Sequence, residues 1–139
     1  LRKGVLDGLK YLMKKKYYIF LVTNQAGIAK KKFSEKKFIN FQNYLKFKFH
    51  LNKIYFDDVQ YCPYHPKGII KKFKKFSNYR KPGNLMIEKI KNNWIIDIKK
   101  SFMIGDKNSD KLCSIKSNLY FEFSQDSFFK QVKNIDKRY

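Results

Sequence analysis

Apolar residues recur along the chain first at helical spacing and then as a continuous run. The helical set predicts a first helix that closes at the lysines of residues 14–16, where positive charge suits the C-terminal end of the helix dipole. Its members are Val5, Leu6, Leu9, Leu12 and Met13. The aromatic and β-branched run over 17–22 predicts a buried strand, and a polar loop over 23–33 is expected after it.

A second helix is expected to begin after Ser34, a suitable N-cap residue followed by Glu35 in the first turn. Large apolar residues then mark one helical face and are most simply interpreted as core packing. They are Phe38, Phe41, Leu45 and Phe49.

Further along, the pattern alternates between strands and helices. It predicts strands over 59–62, 102–106 and 119–123, helices over 85–94 and 109–117, a long basic loop over 67–81, and a weakly patterned polar tail over 124–139. Such alternation is typical of an α/β fold whose mostly parallel sheet is joined by crossover helices. We see no linker, so residues 1–139 are expected to form one domain.

The composition limits the classes of function. A formal net charge of +21 suits a nucleic-acid-binding module, but Arg occurs only at positions 2, 80 and 138, and the lysines are scattered. A general bias towards lysine therefore explains the charge better than a specific nucleic-acid partner does. No run approaches the length of a membrane span, so no membrane partner is expected. Two cysteines indicate no disulfide framework and favour a cytoplasmic location.

Polar residues that could take part in catalysis or ligand binding form clusters that follow strands or turns. The clusters are Thr23-Asn24-Gln25, Arg80-Lys81-Pro82, and Gly105-Asp106-Lys107 with Asp110. Strand ends of a parallel sheet lie on one edge, so these clusters can converge. Hydroxyl and amide donors, an ammonium group and a Mg²⁺-binding carboxylate together suit phosphoryl transfer.

Each cluster also has a simpler interpretation. Thr23 can end a strand, Asn24 can fill a left-handed turn position, and Asp106 can cap the next helix. The order and spacing of the clusters, rather than any one of them, favour the phosphate-binding interpretation.

In this order the motifs resemble one branch of the haloacid dehalogenase superfamily, which contains heptose 1,7-bisphosphate phosphatases and histidinol phosphatases. The matching segments cover most of the chain between about residues 4 and 117. They are 22–29 (VTNQAGIA), 61–66 (YCPYHP), 80–82 (RKP) and 103–107 (MIGDK).

The resemblance implies a Rossmann-like three-layer domain and Mg²⁺-dependent hydrolysis through an aspartyl-phosphate. It implies that Thr23 and Lys81 stabilise the transferring phosphoryl group and that Asp106 binds the metal. The substrate would be bound by Asn24, Gln25, Ala26, Arg80 and Lys107.

Two departures from that family pattern change the expectation. The family's two catalytic aspartates follow an N-terminal strand that should precede Leu1, and Asp7 cannot replace them because it lies in the first predicted helix. The 139-residue chain by itself is therefore expected to lack its first strand and to have no phosphatase turnover.

The second departure concerns a structural zinc site that many relatives carry on the long loop. The matching positions here are Cys62, Tyr64, Ser77 and Tyr79, with His65 adjacent. Structural zinc needs four ligands, so no structural zinc is expected, and Tyr64 and Tyr79 are expected to pack the loop instead.

The leading hypothesis is thus a cytoplasmic, monomeric, Mg²⁺-dependent phosphatase of a small sugar phosphate, of the heptose bisphosphate type in cell-surface polysaccharide synthesis. Histidinol-phosphate hydrolysis is the alternative of the same class. A basic nucleic-acid-binding module and a non-catalytic, ligand-binding remnant are the alternatives from other classes.

Overall fold

The computed structural model describes residues 2–139, which form an α/β fold. Its helices are α1 Val5–Lys14, α2 Ala26–Ala29, α3 Glu35–Leu51, α4 Leu85–Asn93, α5 Asn108–Lys116 and α6 Phe128–Asp136, with short 3₁₀ turns at Lys71–Phe73 and Ile98–Lys100. Its strands are β1 Phe20–Asn24, β2 Asp58–Cys62, β3 Phe102–Gly105 and β4 Tyr120–Phe123. The predicted fold class is confirmed, and the predicted helices and strands occur in the expected order, but α2 and α6 were not predicted. None of the helices within residues 2–139 is long and apolar enough to cross a membrane.

The strands form two separate parallel pairs. Strand β1 pairs with β2, with Thr23 opposite Tyr61, and β3 pairs with β4, with Ile104 opposite Glu122. No ladder joins β1 to β3 among the described residues.

Nevertheless β1 and β3 run side by side in the same direction. Near their first residues, the rings of Tyr17 and Phe102 pack edge to face with centroids 5.9 Å apart. Towards their carboxyl ends, the Lys81 ammonium group bonds both the Val22 carbonyl oxygen of β1 and the carboxylate of Asp110 in the helix that follows β3. The two strands therefore face each other with their carboxyl ends on the same edge.

A groove of about 1010 Å³ separates these two strands. Consecutive residues of β1 and all residues of β3 line it. Because neighbouring strand residues point to opposite faces, a cavity that touches all of them runs along the backbone edges. Every residue of β3 remains partly exposed, whereas strands of parallel sheets are normally buried on both faces.

The main core lies beside this groove, where α1 packs against α6. Its buried residues are Leu9, Leu12, Ile19, Ile54 and Val132. Tyr11 and Tyr17 donate hydrogen bonds of 2.7 and 2.8 Å to the two carboxylate oxygens of Asp136 in α6. The segment over 124–139 was expected to be weakly patterned, yet it contains this well-packed helix.

A second core lies under the loop that follows β2. Phe73 is buried with Ile28, Ala29 and Phe38, and the backbone N–H of Ile69 donates to the Ala29 carbonyl at 2.7 Å. The basic loop over 67–81 is thus anchored by an aromatic side chain and backbone hydrogen bonds.

Two expectations are corrected, one about the bounds of a strand and one about the packing of a helix. The strand predicted over 17–22 begins and ends later, so Thr23 and Asn24 are the last residues of β1 rather than loop residues. Ser34 caps α3 as expected, accepting from the Lys37 N–H at 3.0 Å, but only part of the face predicted for the core packs there, since Phe49 contacts the main core and Leu45 is exposed. Phe38 is buried, whereas Phe41 is 58% exposed.

Candidate active site

Lys81 lies at the centre of the site, where the ends of β1 and β3 come together. Its Nζ donates to the Val22 carbonyl oxygen at 3.1 Å and to Asp110 Oδ1 at 2.6 Å. The Lys81 and Asp110 side chains are only 11% and 10% exposed. The amine is therefore held at the carboxyl edge of both strands, where ligands bind in open α/β sheets.

Asn24 fixes the main chain of Lys81. Its side-chain amide donates to the Lys81 carbonyl oxygen at 3.1 Å and accepts from the Lys81 N–H at 3.0 Å. This two-point contact joins residues far apart in the chain. An amide suits this contact because its donor and its acceptor are on separate atoms that reach the two main-chain groups of Lys81 together, whereas a hydroxyl has both on one oxygen and a carboxylate has no donor.

Asp110 is the residue that sequence reasoning undervalued. It was noted beside the third cluster but given no role, whereas its Oδ2 accepts the backbone N–H groups of Asp106 and Lys107 at 3.0 and 3.1 Å. Burial by itself would raise the pKa of the Asp110 carboxyl, but the Lys81 ammonium and these N–H donors hold that pKa below its ordinary value. The signal in the sequence was its place at the third position of a helix, where a carboxylate caps the preceding backbone.

Thr23 and its neighbours form the wall of the site at the end of β1. The Thr23 hydroxyl oxygen accepts from the Gln25 side-chain amide at 3.0 Å, and Ala26 opens the short helix α2. The Gln25 N–H donates to the Cys62 carbonyl oxygen at 2.8 Å, which extends the pairing with β2 past the strand end. Thr23 follows Val22 directly and so lies next to the carbonyl that holds the Lys81 amine.

Arg80 provides a free donor next to this wall. Its Nη1 is buried and has no hydrogen-bond partner within residues 2–139. Burial lowers the pKa of the nearby His65 imidazole, and the positive charges of Arg80, Lys30 and Lys67 lower it further. A buried guanidinium N–H without an acceptor, in a positively charged setting, is suited to an anionic ligand.

Asp106 lies at the opposite wall, directly after β3, and is 57% exposed. Its Oδ1 accepts from the Ser124 hydroxyl at 2.6 Å and from Arg2 Nη2 at 2.8 Å. The Ser124 hydrogen bond, followed by that of Arg2, holds the pKa of this carboxyl below its ordinary value despite some burial. The side chain of Lys107 is exposed beside it.

The residues present fit a divalent cation in part. Across the described part of the chain, no group of three or more His, Cys, Asp or Glu side chains is placed to hold a metal. Mg²⁺ needs only one or two carboxylates when waters and phosphate oxygens complete its shell, and the exposed Asp106 carboxylate can be one of them. Arg2 and Ser124 both contact Asp106 Oδ1, so a cation that bound this same oxygen would have to displace them, whereas one that bound Oδ2 would not.

Aromatic contacts support the loop at the positions that resemble a zinc site. Tyr79 donates its hydroxyl hydrogen to Gln60 Oε1 at 2.6 Å, and the Tyr64 ring packs against Phe73 and beneath the Lys75 ammonium, 4.1 Å from the ring centre. The packing role expected for Tyr64 is confirmed, whereas the contact of Tyr79 is a hydrogen bond to β2. The expectation that this loop carries no structural zinc stays a prediction.

A known protein family matches nearly the whole chain. The family model described as polynucleotide kinase 3 phosphatase matches residues 1–138. The chain belongs to that family, within the haloacid dehalogenase superfamily.

Curated relatives of this polynucleotide kinase 3 phosphatase family member are similar over most of its length. It is 34% identical over 116 residues to the D-glycero-beta-D-manno-heptose-1,7-bisphosphate 7-phosphatase of Salmonella typhi, covering 84% of the chain and 62% of that relative. It is 32% identical over 133 residues to the protein of the same name in Rhodopseudomonas palustris, covering 93% and 74%. The chain therefore spans about three-fifths of the Salmonella relative's length.

Solved structures agree with the fold of this family member. A HAD-like phosphatase from Mesorhizobium loti has a TM-score of 0.84 at 20% identity, covering 95% of this chain and 72% of the other. The D,D-heptose 1,7-bisphosphate phosphatase of B. bronchiseptica, complexed with magnesium and phosphate, has a TM-score of 0.75 at 18% identity, covering 94% and 69%. The family match and the curated relatives confirm the superfamily resemblance seen in the motifs, while the role of each site residue stays a prediction.

Proposed function

We propose that the protein is a Mg²⁺-dependent phosphatase of a small phosphorylated sugar, of the heptose 1,7-bisphosphate 7-phosphatase type. The observation that carries the proposal is the Lys81 ammonium group, which is buried near the ends of two parallel strands and bonded to the Val22 carbonyl oxygen of β1 and to Asp110 of α5, the helix that follows β3. The name shared by the curated relatives supports the substrate class.

In this proposal Thr23 and Lys81 hold the oxygens of the transferring phosphoryl group. Charge builds on those oxygens in the transition state, so a preorganised amine and hydroxyl lower the barrier without reorganising. Asn24 keeps Lys81 in place through its main chain, and Gln25 with Ala26 shapes the adjoining wall. The free Arg80 N–H binds the remote part of the substrate, and Lys107 contacts it from the opposite wall.

Asp106 is the proposed ligand of Mg²⁺ contributed by the described residues. The cation would neutralise charge on the phosphoryl oxygens and so assist Lys81. Asp110 is engaged with Lys81 and two backbone N–H groups, so its role is to position these groups rather than to bind the metal.

The attacking carboxylate is proposed to come from a further strand seated in the groove between β1 and β3. Both facing edges run parallel, and a strand inserted there would end beside Lys81. Asp7 is exposed in the first turn of α1 and offers no alternative nucleophile. The 139-residue chain by itself is expected to release no phosphate, whereas a protein that includes such a strand should do so.

The test is a Mg²⁺-dependent phosphate-release assay on the protein with its upstream sequence, using a heptose bisphosphate and histidinol phosphate in parallel. Higher kcat/KM for the heptose bisphosphate supports the proposal. Preference for histidinol phosphate would replace it with the alternative hydrolase, and no turnover with either would favour a ligand-binding remnant.

Lys81→Met is expected to lower kcat/KM by about 10²–10³-fold, because the phosphoryl oxygens lose a preorganised charge. Lys116→Met, which removes an exposed lysine on α5, is the matched control and should leave kcat/KM unchanged. The double variant Lys81→Met with Asp110→Asn removes both buried charges. It therefore distinguishes a loss of catalysis from the destabilisation that an unpaired Asp110 carboxylate would cause. Activity restored in the double variant would show that Lys81 is merely structural.

A further inference from the structure

Helix α3 leaves an unusual combination of side chains exposed. The side chains of Phe41, Tyr44, Phe47 and Leu51 are 58%, 53%, 59% and 62% exposed. Their spacing of three and four residues places them along one side of the helix. Only Phe38 of this 17-residue helix is buried, and no side chain within residues 2–139 covers this outer side.

Apart from Glu35 in the first turn, the charged side chains of α3 are lysines. Between residues 30 and 56 the sequence contains eight lysines and a single acidic residue, Glu35. Glu35 accepts the hydroxyl hydrogen of Tyr61 at 2.8 Å and so faces the protein rather than the stripe. Lys37, Lys46 and Lys48 are exposed on the helix itself, and the Lys48 ammonium lies 5.6 Å from the centre of the Tyr44 ring.

We propose that this outer side of α3 binds peripherally to an anionic lipid bilayer. Exposed Phe and Leu side chains can enter the boundary between headgroups and acyl chains, while lysines on the same helix approach anionic headgroups. The proposal concerns a helix lying on a membrane surface, which needs no spanning length. It departs from the expectation of no membrane partner, which rested on the absence of a long apolar run.

The observations favour a lipid surface over other occupants. A second copy would bring another strongly positive surface against the lysines, since each chain carries a formal charge of +21. Nucleic acid would use the lysines and the rings, but Leu51, the most exposed apolar side chain of the helix, offers no face for stacking bases. A bilayer uses both the aliphatic and the aromatic side chains.

The test is co-sedimentation of the protein with phosphatidylcholine vesicles that contain or lack about one-third phosphatidylglycerol, at physiological salt. We expect partitioning onto the anionic vesicles at least about tenfold stronger than onto the neutral ones. The triple variant Phe41→Ser, Phe47→Ser, Leu51→Ser should lose at least about tenfold of that partitioning, because less apolar surface enters the bilayer.

Matched controls locate the binding surface. The variant Ile69→Ser, Phe76→Ser, Ile95→Ser removes side chains that are even more exposed, at 71%, 86% and 96%, and should leave partitioning unchanged. Replacement of Lys37, Lys46 and Lys48 by Gln should weaken partitioning, whereas the same replacement at Lys10, Lys99 and Lys100, with an identical change in net charge, should not.

Circular dichroism of each variant confirms that it folds before its binding is compared. Equal partitioning of the α3 variant and the parent protein would overturn the proposal. Loss of binding in the control variants alone would also overturn it. So would the absence of vesicle binding together with a salt-stable dimer or an oligonucleotide complex that the α3 variant no longer forms.

Discussion

At the scale of single residues, the buried pair of Lys81 and Asp110 governs both the site and its stability. Each charge lies where water is nearly excluded, so either one is costly without the other. Asp110→Asn should therefore lower the free energy of unfolding by about 3 kcal/mol, measured by urea denaturation. Asp126→Asn changes an exposed carboxyl in the same way and should have little effect.

The same pair predicts a pH dependence. The folded-state pKa of Asp110 lies below its ordinary value of 3.8, so the folded protein holds the charged form more strongly than the unfolded chain does. Its stabilising contribution is complete above that ordinary pKa and is lost as pH falls through the lower, folded-state pKa. The difference in unfolding free energy between the parent protein and Asp110→Asn should shrink over that acidic range; a constant difference down to the acid transition would contradict the assignment.

At the scale of elements, the contact between α1 and α6 depends on a glycine inside a helix. A Cβ on Gly8 would lie 2.4 Å from Phe128 Cδ1 and 3.3 Å from the Phe129 Cα. Alanine normally favours a helix by about 1 kcal/mol over glycine. Here Gly8→Ala should instead destabilise the protein by about 1–3 kcal/mol, because the helices must separate or the ring must move.

A double-mutant cycle tests this explanation of Gly8. In a Phe128→Ala background the two closest ring atoms are gone and only the 3.3 Å approach to the Phe129 Cα remains, so the added methyl group should destabilise the protein much less. Thermal unfolding of the four proteins provides the comparison. A destabilisation by Gly8→Ala of the same size in both backgrounds would mean that the Phe128 ring does not limit the packing of these helices.

At the scale of the whole molecule, the groove between β1 and β3 leaves two facing strand edges without a hydrogen-bonded neighbour among the described residues. An open strand edge leaves backbone N–H groups without partners and exposed to water. In the 139-residue chain, amides of β1 and β3 should exchange hydrogen faster than those of a protein that includes the proposed additional strand.

Hydrogen exchange followed by mass spectrometry measures this difference. Segments covering Phe20–Asn24 and Phe102–Gly105 should gain protection when the upstream sequence is present. The outer strands Asp58–Cys62 and Tyr120–Phe123 serve as internal controls and should change less. Equal protection of β1 and β3 in both proteins would mean that nothing pairs with their facing edges.

The sequence by itself determined the order and type of nearly every element, because local signals suffice for them. The alternation of apolar runs with helical spacing predicted the parallel α/β class, and Ser34 is the helix cap that its side chain suggested. The motif order placed Thr23, Lys81 and Asp106 at strand and turn ends. Such motifs can be recognised in a sequence because only certain residue types fit at strand ends and in turns.

Only the tertiary structure decided which surfaces are covered and which distant groups meet. Phe41 and Phe38 lie on helical faces that the sequence pattern treats alike, yet only one of them finds a neighbouring element. The sequence did not predict helix α6, because its packing partner α1 lies at the other end of the chain. It did not predict the role of Asp110 either, because that role depends on the distant Lys81. Burial and pairing depend on the whole packed arrangement, which local periodicity does not contain.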